Sequence, residues 1–399
     1  MKHFPRTYTC LAVLLATHQA VAAGFQINAQ SATGLGRAFA GDGIIADNAS
    51  VMAKNSAAMS LIETPELSFG GVAVLSSVDV SAALYTPIVG DTVDASVDDI
   101  AEDAFIPNAY YVHPIEGTDF TLGASVYSNF GTNIVFPEDY VAREFGGETS
   151  LTSVNFGIAL SYQVTNKFSL GGGIDVIYGD GDIKRKGLLD VEADGVGYGF
   201  NLGLAYEFDR DNRIGLSYRY SPDIEAKGEV SMGGESADSI NIPLPDMLEL
   251  SGYHKLTEKF AFHYSVQYVA WSEFNALTSE ELSSSIKEYQ WVDAGHISIG
   301  GTYYLSPQVE LRAGYMYDKA PTDSLSSLSI PDSNRQWLSA GASYHLSDKQ
   351  SVDLGVSYVL GEDEVVEESL TIIPGTQSSI KALTTADAWL IGAQYSYRF

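Results

Sequence analysis

The 399-residue chain carries 22 Lys and Arg against 51 Asp and Glu, a formal charge of −29, with 38 Gly, 24 Tyr and neutral mean hydropathy. So acidic a surface excludes nucleic acid as a partner, because phosphate binding needs a basic face. The single cysteine, Cys10, excludes a disulfide framework, so stability must come from a large folded structure.

Lys2 and Arg6, an apolar stretch from Leu11 to Ala16, and then Ala20-Val21-Ala22 read as a secretory signal with an A-x-A cleavage site. Residues 1–22 are expected to be removed and the mature chain to begin at Ala23. The loss of Lys2 and Arg6, with no Asp or Glu in that stretch, takes the charge from −29 to −31. Nothing later approaches the roughly 18 uninterrupted apolar residues of a spanning helix.

Residues 23–62 do not alternate and are rich in Gly, Ala, Ser and Asn, with Gly34, Gly36, Gly41 and Gly43 closely spaced. Strict alternation then dominates from about residue 66. Phe260, Phe262, Tyr264, Val266 and Tyr268 share one face, whereas Ala261, His263, Ser265 and Gln267 share the other. Phe168 to Tyr178 and Val352 to Tyr358 repeat the pattern. Such segments fall near 66–83, 105–115, 118–130, 149–165, 168–185, 190–208, 212–229, 243–256, 258–277, 284–305, 307–320, 333–346, 350–361 and 386–399, an even fourteen. Links such as Thr165-Asn166-Lys167 and Ser306-Pro307 are tight, whereas 131–148, 230–242 and 362–385 are long. Strands of about nine to eleven residues or more, with short turns at one rim and long loops at the other, predict an all-β, antiparallel transmembrane barrel.

Such a barrel, at residues 63–399, belongs in the outer membrane of a Gram-negative bacterium, in contact with lipid and lipopolysaccharide. The last strand alternates Trp389, Ile391, Ala393, Tyr395, Tyr397 and Phe399 with Leu390, Gly392, Gln394, Ser396 and Arg398. A terminal aromatic of this kind resembles the signal read by the barrel assembly machinery. Fourteen strands enclose a wide lumen, so residues 23–62 are expected inside it as a plug. A periplasmic tail or a separate small domain is the alternative.

Ala23-Gly24-Phe25-Gln26 and Ser31-Ala32-Thr33-Gly34-Leu35-Gly36-Arg37-Ala38-Phe39-Ala40-Gly41 resemble the start of the outer-membrane long-chain fatty acid transporters, the FadL family. Leu244-Pro245-Asp246-Met247, Ile330-Pro331-Asp332 and Val352-Asp353-Leu354-Gly355-Val356-Ser357-Tyr358 extend the resemblance along the chain. It implies a monomeric fourteen-stranded barrel closed by an N-terminal hatch, with a hydrophobic ligand captured outside and released sideways through the wall. It further implies that Phe25 lines an apolar pocket and that Arg185 and Lys287 hold a carboxylate. Ala104, Ser128 and Gly203, on strands two, three and six, match positions beside the lateral opening. No cofactor, metal or catalytic group is implied.

Two departures stand out. The family's Asn-Pro-Ala in the hatch is here Asn55-Ser56-Ala57, without the rigid kink of proline. The loop after Arg185 is short, where fatty acid transporters often carry a long apolar one.

Competing motifs are weak. Gly34-Leu35-Gly36-Arg37-Ala38-Phe39 lacks the third glycine of a dinucleotide loop. His263 and Ser265 share a strand face, as an outer-membrane hydrolase would require, yet no third orienting group is identifiable. The histidines lack metal-ligand spacing. Glu362, Asp363, Glu364, Glu367 and Glu368 read as a solvated acidic loop, with a divalent-cation site as the alternative. The expected function is therefore uptake of long-chain fatty acids, with aromatic hydrocarbons second and a hydrolase or a surface adhesin behind them.

Overall fold

The computed structural model describes residues 24–322, 326–373 and 375–399, so the signal segment 1–22 and Ala23 lie outside the described residues. The wall is a closed antiparallel sheet of fourteen strands. These are β1 (Glu66–Thr86), β2 (Ala104–Pro114), β3 in two pieces (Phe120–Tyr127 and Gly131–Val135), β4 (Glu148–Thr165) and β5 (Phe168–Arg185). Next come β6 (Leu189–Asp209), β7 (Asn212–Tyr220 and Ile224–Met232), β8 (Glu235–Ile242 and Met247–Thr257), β9 (Phe260–Val269) and β10 (Ala294–Ser306). β11 (Val309–Lys319), β12 (Arg335–Ser347), β13 (Gln350–Gly361) and β14 (Thr376–Arg398) complete the ring. β14 closes it on β1 from Glu66↔Arg398 to Ser81↔Leu383, so the ring is continuous.

The period of two becomes two surfaces. Along β14, Trp389 and Ile391 are half exposed while Leu390, Gly392 and Gln394 are buried, so the apolar ring faces outward where lipid replaces water. The inward face is small and polar. No helix among the described residues is long and apolar enough to cross a membrane, and the crossing is made by strands.

The long links differ from the sequence reading in a consistent way. Residues 230–242 are no loop but a hairpin, Ile224–Met232 against Glu235–Ile242, turned by Gly233 and Gly234 at φ +60° and +94°. Likewise 362–385 holds a strand, Glu364–Ile373, paired with β14, which starts at Thr376 and not at 386. Acidic side chains on their solvent faces masked the alternation that buried Val366, Ile380 and Ala382 carry inside. Conversely, 270–293 is a loop between β9 and β10, although its aromatic spacing resembled strand ends.

Residues 24–62 make a short helix, Ala32–Leu35, and two 3₁₀ turns, Ala49–Ala53 and Ser56–Leu61, each N-capped by Ser31, Asn48 or Asn55. They rest on inward-facing positions of the wall. A Cβ on Gly36 would lie 2.8 Å from the Gly341 Cα, and the Arg37 carbonyl presses on Gly300 and Gly314. Only glycine permits so close a backbone approach.

Candidate functional site

At the rim with the long links, Phe25 is completely buried in a nest of rings: Phe274 at 4.7 Å, Trp271 at 4.9 Å, Phe130 at 5.7 Å and Trp291 at 5.8 Å between centroids. Trp271, Phe274, Tyr289 and Trp291 all come from the 270–293 loop, and Phe130 from the break in β3. Sequence reading missed these partners because it assigned the loop to strands. Four aromatic residues within 21 positions, two of the chain's four Trp among them, were the available signal. Beside the nest, Leu151, Ile183, Ile242, Leu277, Tyr289 and Ile330 enclose an apolar void of about 30 Å³. That holds roughly one water and no acyl chain.

Arg185, only 5% exposed, meets this void through Thr149, one of its lining residues. It donates to the Glu148 and Lys184 carbonyls at 2.7 and 2.9 Å, to Thr149 Oγ1 at 2.8 Å and to Ser329 Oγ at 2.7 Å. All are neutral acceptors, and among the described residues no carboxylate lies within ion-pair distance of it. Burial pushes the Tyr289 phenol upward, so this neighbour of Arg185 stays neutral. Lys287 lies opposite Leu277, which lines the same void. It differs from Arg185 in being paired, donating to Glu368 Oε2 at 2.6 Å.

The sheet is split between β2 and β3. The two strands pair only from Ala109↔Val126 to Pro114↔Thr121. At the far end the Val135 amide donates to the Ile100 carbonyl at 2.7 Å. In between, the N-terminal segment fills the split. Ile27 N donates to the Asn129 carbonyl at 2.6 Å and Gly131 N to the Phe25 carbonyl at 2.8 Å. From the β2 side, Tyr110 Oη donates to the Gln30 carbonyl at 2.8 Å and Asn108 Nδ2 to that of Ala29 at 3.3 Å. Ala104 and Ser128 flank this split: Ala104 shares a buried cluster with Ile27 and Ala29, and the Ser128 carbonyl accepts from Gln30 Nε2 at 3.3 Å.

Gly203 is not with them. It lies on β6, three strands from β3, beneath Asn55-Ser56-Ala57. Asn55 caps its 3₁₀ turn by accepting from Ala57 N at 3.0 Å and donates to the Leu204 carbonyl at 3.0 Å. The polar cap sets the chain direction here without proline. Gly203 and its ladder partner Gly171 let the turn approach the wall. A Cβ at Gly203 would sit 2.1 Å from Asn55 Oδ1, and one at Gly171 2.2 Å from Ala57 N. Gly203→Val should therefore unseat this turn at a cost of roughly 1–3 kcal/mol, read as faster tryptic cleavage after Lys54 in folded barrels. Unchanged protection would show that the contact is dispensable.

His263 and Ser265 do not form a dyad. His263 Nε2 pairs with Thr302 Oγ1 at 2.9 Å, and Ser265 Oγ donates to Glu249 Oε1 at 3.0 Å. The acidic run is dispersed as well: Glu362 accepts from Asn334, Asp363 from Thr385, Glu367 from Lys381 and Glu368 from Lys287. No group of three potential metal ligands occurs among the described residues.

Residues 13–399 match the model of the family described as outer membrane protein transport protein (OMPP1/FadL/TodX). Outer membrane protein P1 of Haemophilus influenzae is 35% identical over the full length of both chains. The long-chain fatty acid transport protein of Escherichia coli K12 is 31% identical, with 99% of each chain covered. Among solved structures, a Pseudomonas aeruginosa FadL homologue superposes with a TM-score of 0.84 at 21% identity, covering 94% of this chain and all of that one. The Pseudomonas putida toluene transporter TodX gives 0.70 at 18% identity, over 95% and 100% of the two chains. The chain thus belongs to the OMPP1/FadL/TodX family, as a Gram-negative outer-membrane β-barrel that transports hydrophobic molecules and is not an enzyme.

Proposed function

We propose that this protein imports long-chain fatty acids, and the observation that carries the reading is Arg185. A buried guanidinium whose hydrogen bonds all go to neutral acceptors, with no carboxylate in direct contact, is costly unless an anion visits it. A carboxylate would complete its charge-assisted bonds, and the adjoining apolar void is the direction its hydrocarbon tail would take. The relative named a long-chain fatty acid transport protein agrees in chemistry. The aromatic nest around Phe25 favours the second reading, an aromatic hydrocarbon, since rings of this kind stack on such a ligand.

In this reading residues 23–62 are the hatch, 63–399 the wall and 1–22 the export signal. Ligand enters at the rim, displaces Phe25 and leaves where Phe25–Gln30 fills the β2–β3 split. Two buried amide atoms there, Gln30 Oε1 and Asn108 Oδ1, lack a hydrogen-bond partner among the described residues. Each unsatisfied group weakens the closure by roughly 1–3 kcal/mol, which suits a segment that must move. Sideways exit keeps the acyl chain out of water, at about 0.8 kcal/mol per CH₂. A concavity of about 850 Å³ on the outer wall is floored by Val154, Phe156 and Val176 and shares Glu102 and Asn133 with the top of the split. The barrel acts as a monomer among lipopolysaccharide and lipid, and its terminal Phe399 addresses it to the assembly machinery.

Expressed in a strain lacking its own importer, the protein should restore growth on oleate and not on toluene. Growth on toluene alone would reverse the assignment. A disulfide between Ala29→Cys and Asn108→Cys should abolish oleate uptake while leaving oleate binding intact. Full uptake by the cross-linked form would remove the sideways route.

A further inference from the structure

We propose that Glu368 is a resident carboxylate that occupies the head-group position in the empty transporter and that an incoming carboxylate must replace. This rests on the fatty acid reading above and names the residue that sets its ligand threshold. Glu368 lies on the outer strand Glu364–Ile373, in register with Ile380 of β14. Unlike its neighbour Glu367, it turns inward with Val366, and its side chain is 8% exposed. Both oxygens are engaged: Oε2 accepts from Lys287 Nζ at 2.6 Å and Oε1 from the Leu328 amide at 2.7 Å. One cation and one backbone N–H make the contact set by which proteins hold a free carboxylate.

The next residue ties this contact to the other cation, since Ser329 Oγ accepts from Arg185 at 2.7 Å and Ile330 lines the void. Leu328-Ser329-Ile330 therefore places Glu368, Arg185 and the apolar chamber on three consecutive residues. One internal carboxylate thus serves this pair of cations, in contact with Lys287 and one residue removed from Arg185 through Leu328-Ser329. A second carboxylate added beside it would suffer like-charge repulsion at a few ångströms in a water-poor site, whereas exchange keeps the charge balance. Exchange also releases the Glu364–Ile373 strand from Lys287, which enlarges a void that is now about 30 Å³. A neutral hydrocarbon has no group with which to make that exchange.

The test compares oleate with octadecene on the full-length protein in detergent, with heat-shifted gel mobility as the folding control. Glu368→Gln keeps an oxygen for Leu328 and removes the charge, so oleate binding should tighten about tenfold and octadecene should bind as before. Unchanged or weaker oleate binding in the folded variant overturns the proposal. Arg185→Ala, run in parallel, separates the two levels. If it weakens oleate binding while Glu368→Gln has no effect, the resident carboxylate is wrong and the cation site stands. If neither variant alters oleate binding, both fall. A second measurement leaves Glu368 in place, with spin labels at Ser284→Cys and Ser369→Cys on the two outer elements. Oleate should lengthen the distance between them and octadecene should not, and a distance indifferent to oleate also overturns the exchange.

Discussion

Arg185→Ala should weaken oleate binding by roughly 10- to 100-fold, the equivalent of about 1.5–3 kcal/mol for charge-assisted bonds in a buried site. Toluene binding should not change. The asymmetry follows from the chemistry of the site, where the guanidinium offers a carboxylate a charge that its present partners, two carbonyls and two hydroxyls, do not neutralise. Lys287→Ala alone should do less, because in the empty protein that ammonium is already spent on Glu368. The double variant should resemble Arg185→Ala to within a few-fold. Arg185→Lys adds a geometric control, since lysine keeps the charge without the fork that spans Thr149 and Ser329, and should recover only part of the affinity. Isothermal titration with oleate and toluene distinguishes these cases. Equal oleate affinity of wild type and Arg185→Ala would remove the fatty acid reading, although the barrel and family assignment would stand.

Much of the wall was legible because alternation is a strictly local consequence of the pleat. The face shared by Phe260, Phe262 and Tyr264 and the one shared by Trp389 and Ile391 are where the period of two puts them, and the count of fourteen survives every boundary change. Legibility failed where two strands leave the membrane. Beyond the lipid the outward face becomes acidic, as at Glu225 and Glu367, and a hairpin then reads like a loop.

The site was legible only in part, for a different reason. Phe25, Arg185 and Lys287 came from resemblance, and each touches a residue that lines the small apolar void: Phe25 packs on Phe274, Arg185 donates to Thr149 and Lys287 pairs with Leu277. Their partners lie 105 to 266 positions away in sequence: Phe130, Trp271 and Trp291 on Phe25, Ser329 on Arg185. Contacts made by ring closure leave no periodic trace. The grouping of Gly203 with Ala104 and Ser128 shows the same limit, since a small residue on an inward face serves equally for a passage or for the close approach of Asn55, and only the register across β5 and β6 distinguishes them.

Arg37→Ala should release residues 24–62 from the barrel more effectively than any other single change there. Arg37 is 1% exposed and holds Asp42 and Asp47 at 2.6 Å each, and the network continues from Asp47 to Arg312 at 3.6 Å and from Arg312 to Glu310 at 2.8 Å. With Arg37 gone, Asp47 keeps Arg312, but Asp42 is left buried without its ion pair. Breaking a buried pair on one side costs about 3–5 kcal/mol. The wall strands do not share that loss, because their ladders are independent of Arg37, so it falls on the seating of the N-terminal segment. The expected results are larger single-channel conductance in planar bilayers and rapid tryptic cleavage after Lys54, with heat-shifted gel mobility intact. Adding Asp42→Asn removes the stranded charge and should restore protection in part, as coupled neighbours do in a double-mutant cycle. If Arg37→Ala leaves conductance and proteolysis as in wild type, the segment is held by its backbone contacts with Gly300, Gly314 and Gly341, and the ion pairs contribute nothing to keeping the lumen closed.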